Sequence, residues 1–135
     1  MERVFLDASF LIAYHNRKDE NHKKAVKWIR DIRKKKVRFV ISDYIFDEIL
    51  TVLLVRGSKE LSVSAGRKIL ESGFVTLIQV DNAVFNKAWR IYQNYSDKNW
   101  SFTDCTSYVL MKGLGILKGA SFDEHFKQFG FEVVI

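Results

Sequence analysis

The chain opens on an unbroken apolar run, Val4, Phe5 and Leu6, that stops at Asp7. A run without polar alternation suits a strand buried on both faces of a parallel sheet. Apolar periodicity then predicts a short helix over 8–16, with Phe10, Leu11 and Tyr14 on one side, and a longer one over 19–36. In the second, Ala25, Trp28, Ile29 and Ile32 recur at helical spacing while Lys23, Lys24, Lys27, Arg30, Arg33 and Lys34 face outward. β-Branched residues mark a strand over 37–42, and Ser42 or Asp43 caps a helix over 44–56 whose inner side is Ile45, Ile49, Val52 and Leu53. Gly57 ends it; a helix from Ser58 or Ser62 to Glu71 follows, and Gly73 precedes a strand over 74–80. Asp81 caps a helix reaching Tyr95, and another covers 102–112. A short strand over 116–120, a short helix over 122–129 and an edge strand over 131–134 complete the chain.

Strands alternating with helices or helix pairs predict a mostly parallel sheet with helices on both faces, a doubly wound α/β domain. The length of 135 residues, with 47% hydrophobic and 14% aromatic residues and no proline, fits one ordered domain over 1–135. The apolar start is interrupted by Asp7, then by His15, Asn16 and Arg17, so neither a signal peptide nor a membrane span is expected, and the expected location is cytoplasmic. The single cysteine, Cys105, excludes an internal disulfide and agrees with a reducing compartment.

Charge changes this picture more than composition does. Twenty-two Lys and Arg stand against 16 Asp and Glu, a net charge of +6 that favours a polyanion or an acidic protein as partner. The basic row on the second helix reads first as a solvated surface, with an RNA track or a partner surface as the alternative.

The acids, though outnumbered, sit at telling places. Asp7 ends the first strand; Glu48 lies one turn into the helix after the second; Asp104 is in the first turn of a helix capped by Ser101 or Thr103; Asp123 follows the short strand near Ile116. Singly, an acid in a first helical turn is often a cap or dipole partner, worth typically about 0.3–1 kcal/mol. Together, strand ends and helix starts converge on one edge of an open α/β sheet, where ligands bind. Four adjacent carboxylates require neutralisation. Hard oxygen donors without a Cys or His cluster suit Mg²⁺ or Mn²⁺ better than Zn²⁺, and the chemistry they support is metal-assisted phosphodiester hydrolysis.

Four segments carry a resemblance. Phe5-Leu6-Asp7-Ala8-Ser9-Phe10-Leu11-Ile12-Ala13, Ser42-Asp43-Tyr44-Ile45-Phe46-Asp47-Glu48, Ser101-Phe102-Thr103-Asp104-Cys105 and Ser121-Phe122-Asp123-Glu124-His125-Phe126, in this order and spacing, resemble the successive motifs of PIN-domain nucleases, nearest to the VapC-type toxins of prokaryotic toxin–antitoxin pairs. The resemblance spans nearly the whole chain. It implies a five-stranded parallel sheet with the first strand central, Mg²⁺- or Mn²⁺-dependent ribonuclease activity, commonly a homodimer, and for toxin members an antitoxin that covers the groove. By the same resemblance Asp7, Glu48 and Asp104 match the core metal-binding acids, and Asp123 matches the fourth. Ser9 and Thr103 match hydroxyl positions that order the site, and Asp97 resembles an accessory acid near the third motif.

Other residues attract blander readings. Gly113, Gly115 and Gly119 lack the spacing and placement of a phosphate loop. His15, His22 and His125 follow no ligand motif and read as surface or packing residues; Cys105 lacks a paired base and reads as a small buried helix residue. Trp28 and Trp89 read as core, and Trp100 as packing, with base stacking as its alternative. The leading function is a metal-dependent endoribonuclease acting on RNA. The alternatives are an RNA-processing nuclease without an antitoxin and a non-catalytic α/β module binding RNA or protein. A dehalogenase-like phosphatase would need a second acid where Ser9 stands, and a receiver-type phosphoacceptor would need paired early acids.

Overall fold

The computed structural model describes residues 1–135. Five strands, β1 (Glu2–Leu6), β2 (Val37–Ser42), β3 (Val75–Ile78), β4 (Lys118–Ala120) and β5 (Glu132–Val133), form one parallel sheet in the order β3-β2-β1-β4-β5. Its seven helices are α1 (Ala8–His15), α2 (His22–Ile32), α3 (Asp43–Arg56), α4 (Lys59–Glu71), α5 (Asn82–Asn94), α6 (Phe102–Leu114) and α7 (His125–Gln128). The apolar opening run became the central strand, with Val4, Phe5 and Leu6 at most 1% exposed. Val4 pairs with Phe39 on one side and Lys118 on the other. The chain builds β2 and β3 to one side of β1 and returns to build β4 and β5 on the other. The strand order therefore reverses at β1, and the crevice beyond its carboxyl end is the sheet's switch point.

Where elements are shorter than the periodicity predicts, other bonds have taken the backbone groups. The second helix begins at His22 because Asp19 closes a turn, accepting the Asn21 N–H at 2.8 Å. After Ile32 the N–H groups of Lys34 and Lys35 reach only three residues back, the tighter turn usual at a fraying end. β3 stops at Ile78, and the Val80 N–H is held by Asp43 Oδ1 at 2.9 Å. Ile116 lies just past α6 and outside β4, its N–H bonded back to the Met111 carbonyl, while Gly115 takes the left-handed conformation at φ 69°. The predicted helix over 122–129 is reduced to α7, because the N–H groups of Phe122 and Asp123 turn to the hydroxyls of Ser9 and Ser121.

Core aromatic residues lock the sheet's outer edge to its centre. Phe126 lies directly over Gly119, where a Cβ would collide with its ring, so α7 can dock on β4 only at a residue without a side chain. Trp28 packs between Phe10 and Phe39 and donates its indole N–H to the Val134 carbonyl at 2.8 Å. Trp89 departs from its expected core position: it is 49% exposed, stacked on Tyr92, because nothing covers the outer side of α5. Val52 is half-buried instead of fully inside. The six cations of the α2 row are exposed as predicted. No helix is long and apolar enough to cross a membrane.

Candidate active site

Asp7 follows the last residue of β1 and is 1% exposed, so its carboxylate is deeply desolvated. Burial opposes its ionisation, yet the neighbouring His125 and the hydroxyls of Ser121 and Ser9 outweigh that and hold its pKa below the ordinary carboxylate value. Ser121 donates to Asp7 Oδ2 at 2.7 Å and Ser9 donates to the same oxygen at 3.0 Å. Each hydroxyl has one proton and spends it there. Their lone pairs receive the N–H groups of Asp123 and Phe122, both at 3.0 Å. The loop after β4 is thereby fastened to the end of β1, and Oδ1 of Asp7 keeps its lone pairs for the crevice.

Asp104 is fixed by a reciprocal cap at the start of α6. Ser101 Oγ accepts the Asp104 N–H at 3.0 Å, and Asp104 Oδ2 accepts the Ser101 N–H at 2.9 Å. Its second oxygen, Oδ1, points to His125 Nε2 at 3.3 Å. Burial and, further down, repulsion from Asp7 outweigh the help of His125 and Ser101, so the Asp104 pKa is raised. Thr103, expected to order this acid by its hydroxyl, contributes its carbonyl to Thr106 instead; Ser101 does the ordering.

His125 is the residue that sequence reasoning misplaced. It is neither a surface nor a plain packing residue: at 7% exposure, its Nε2 stands 3.3 Å from Asp104 and 3.5 Å from Asp7, aligned for a hydrogen bond with neither. Burial disfavours its charged form, but Asp7, Asp104 and Asp123 together raise its pKa. The signal lay two residues after Asp123, where the turn that presents that acid also swings the imidazole inward. His22, by contrast, bonds the Ala13 carbonyl, and half-buried His15 packs edge-on against Tyr14, as expected of packing residues. Cys105 is buried, and burial pushes its thiol up to about 11.

Glu48 reaches the same field from α3. Burial, then repulsion from Asp7, Asp104 and Asp123, push its pKa up to about 7, with His125 opposing. Asp123 is exposed, and its pKa is raised by desolvation and by Asp7. Two cavities flank the acids. One, of about 350 Å³, is lined by Ser9, Glu48, Asp123 and Arg56, together with Asp19 and Glu20, two acids that the sequence did not single out. The other, of about 400 Å³, is lined by Asp97, Asp104, Asp123 and His125. Asp123 lines both, so the two cavities adjoin at the switch point. Asp97 is exposed in the wall of the second, with Lys98 4.0 Å away.

The donor set fits a hard divalent cation. One oxygen each from Asp7 and Asp104 lies within 4.8 Å of the other and of the His125 nitrogen, while Glu48 and Asp123 are not part of that close group. Asp7, Glu48, Asp104 and Asp123 share one electrostatic field, and three of them have raised pKa values that a positive ion bound beside them would relieve.

The chain is similar in sequence and fold to known proteins. The sequence model of the PIN domain matches residues 4–132. The 23S rRNA-specific endonuclease VapC20 of Mycobacterium tuberculosis, in two strains, is 29% identical over 129 residues, which is 95% of this chain and 95% of that protein. The crystal structure of M. tuberculosis VapC20, described as a sarcin–ricin loop cleaving toxin, matches with a TM-score of 0.88 and 27% identity over 97% of this chain and 98% of its own. FitAcB from Neisseria gonorrhoeae, at 14% identity, shares the fold with a TM-score of 0.65 over 98% of this chain and 96% of its own. With its central strand, its converging acids and a match across nearly its full length, the chain belongs to the PIN domain family.

Proposed function

We propose that this protein is an Mg²⁺- or Mn²⁺-dependent endoribonuclease acting on a structured ribosomal RNA hairpin, and that it serves as the toxin of a toxin–antitoxin pair. The observation that carries the reading is the gathering of Asp7, Asp104 and His125 within 4.8 Å at the end of the central strand, with Glu48 and Asp123 on the walls. The activity of VapC20, an endonuclease specific for 23S rRNA, supports the substrate class.

Asp7, Glu48, Asp104 and Asp123 would hold the cation, Asp7 through the oxygen that Ser9 and Ser121 leave open. A divalent ion held there would supply Lewis-acid polarisation of the phosphate and would lower the pKa of a water. The chain's own residues do the rest. Ser9, Ser101 and Ser121 fix carboxylate orientation, so the site is organised before RNA arrives. His125 places a proton-bearing nitrogen between Asp7 and Asp104 and screens their repulsion in the metal-free protein. Arg56 lines the same cavity as Glu48 and Asp123 and offers a cation to a phosphate of the bound strand. Asp97 is an accessory acid of the outer wall. A cognate antitoxin and a homodimer complete the proposal, and the exposed aromatic side of α5, Phe85, Trp89 and Tyr92, is an apolar surface suited to a protein partner.

The test is cleavage of an end-labelled RNA hairpin carrying the sarcin–ricin loop sequence, with Mg²⁺ or Mn²⁺, with EDTA, and with Asp104→Asn prepared identically. Cutting that needs the metal and is lost in the variant supports the proposal. Binding without cutting under all conditions overturns it in favour of an RNA-binding module.

A further inference from the structure

Beside the polar groove lies a second, aromatic recess that the chemistry of the acids does not use. Its volume is about 290 Å³, and its walls are Tyr95, Trp100, Tyr108 and Phe129. Lys98, Trp100 and Gln128 line both this recess and the acid-bearing cavity that contains Asp104, Asp123 and His125. The two spaces therefore share a wall, and Trp100 is its main panel.

The rings are arranged as a cup and not as a closed stack. Trp100 meets Phe129 at 4.6 Å and 53° and Tyr95 at 5.2 Å and 48°, while Tyr108 meets Phe129 at 4.8 Å and 55°. Every contact is tilted, so none of these rings is covered by a parallel neighbour within the cup. Tyr95 is 49% exposed, so part of its side chain is open to solvent beside Trp100. Trp100 itself is held rigid: its Nε1 donates to Gln128 Oε1 at 2.7 Å. An indole N–H can only donate, so this bond fixes the amide orientation and leaves the Gln128 nitrogen free to donate to a ligand. Lys98 supplies a cation at the rim; its one acidic neighbour, Asp97, is 4.0 Å away and mostly exposed.

An aromatic cup with a donor amide and a cation at its mouth, continuous with a carboxylate groove, matches the chemistry of an unstacked nucleotide: a base with two π-faces and polar edges, joined to a phosphate. We infer that this recess receives one flipped-out base of the RNA loop, stacked on Trp100, and so positions the neighbouring phosphodiester against Asp104 and Asp123. The inference rests on the ribonuclease reading and adds to it the subsite that chooses where the strand is cut. Trp100 is a positioning residue. Gln128 holds its ring and offers the base edge a donor, and Lys98 faces the phosphate between the two spaces.

The experiment uses the full chain carrying Asp104→Asn, to prevent cutting, and a fluorescent hairpin with the sarcin–ricin loop sequence. Binding is compared with and without Trp100→Leu and Trp100→Phe, and an abasic nucleotide is moved through the loop one position at a time. Base stacking on an aromatic side chain predicts that Trp100→Leu weakens binding roughly 5- to 100-fold while Trp100→Phe retains most of it. One abasic position should cost a similar factor, and that cost should vanish in Trp100→Leu, because the same contact is already lost. A merely structural Trp100 would not produce that position-specific loss of additivity. The rise in melting temperature caused by Mn²⁺, measured with Asp104 intact, should be the same in Trp100→Leu as in the wild type, since the acids are untouched. An abasic scan that is flat, or equal in both backgrounds, overturns the cup. Cleavage that needs metal and Asp104 but ignores Trp100 overturns it too and leaves the nuclease standing. Trp100-dependent binding of one base with no cleavage by the wild type supports the cup and removes the nuclease.

Discussion

Replacing Glu48 by Gln should stabilise the metal-free protein at alkaline pH, although it removes a charged surface residue and adds no contact. The reason is the field around it. Burial, and after it the charges of Asp7, Asp104 and Asp123, raise the Glu48 pKa from 4.5 to about 7 in the folded state. In the unfolded chain the ordinary value returns. Between those two values the folded protein binds the extra proton, so stability falls as pH rises from about 4.5 to about 7 and stays low above it. Carried in full, that shift is worth roughly 3 kcal/mol. Glu48 is partly open to water, and solvent screening reduces the expected penalty to about 1–2 kcal/mol. Glutamine, uncharged at every pH, escapes it. Urea denaturation in EDTA should therefore show Glu48→Gln more stable than the wild type by about 1–2 kcal/mol at pH 8 and equal within a few tenths at pH 4.5. With saturating Mn²⁺ the order should invert, because the ligand that the metal stabilises has been removed. A variant no more stable than the wild type at pH 8 in EDTA would show that Glu48 does not share a field with the other acids.

Ser101→Ala removes the cap of α6 and should lower stability by about 0.5–2 kcal/mol in urea denaturation. Its Mn²⁺ affinity should change little, because the backbone N–H that aims the Asp104 carboxylate remains after the substitution; a large loss in calorimetric titration would refute that role. Gly119→Ala should destabilise by about 1–3 kcal/mol or more, since the added methyl meets the Phe126 ring and must displace α7. A melting temperature equal to the wild type's would contradict this packing. His15 is driven down to about 4, by burial first and then by Lys68 and His22. Its stability contribution is full above pH 6.5 and lost as pH falls through about 4, so His15→Phe should flatten the stability profile between those values. The unchanged slope of a pH series would refute it.

The first strand and the acids were legible because each was announced locally. Val4 to Leu6 is apolar without alternation, and Asp7 ends it; Ser101 and Asp104 stand at capping-box spacing. His125 was not legible, because its role depends on a turn whose bonds come from Ser9, more than a hundred residues away in sequence. The same long-range bonds shortened the predicted final helix. Trp89 misled in the opposite direction: its helical spacing is that of a core residue, but spacing cannot say whether another element covers the face. Thr103 and Ser101 were both plausible partners of Asp104 from their positions, and only the φ and ψ of the helix start gave the cap to Ser101.

The site's central claim is that Asp7, Glu48, Asp104 and Asp123 hold one metal centre. Mn²⁺ binding followed by electron paramagnetic resonance tests it most directly, comparing the wild type with Asp7→Asn, Glu48→Gln, Asp104→Asn and Asp123→Asn, and with Asp97→Asn as the control on the outer wall. Loss of bound Mn²⁺ in the first three variants, a weaker loss in Asp123→Asn and little change in Asp97→Asn are the predicted results. Free Mn²⁺ alone with the wild-type protein, or an equal loss wherever an acid is removed, would contradict a built centre and reduce the cluster to general negative charge.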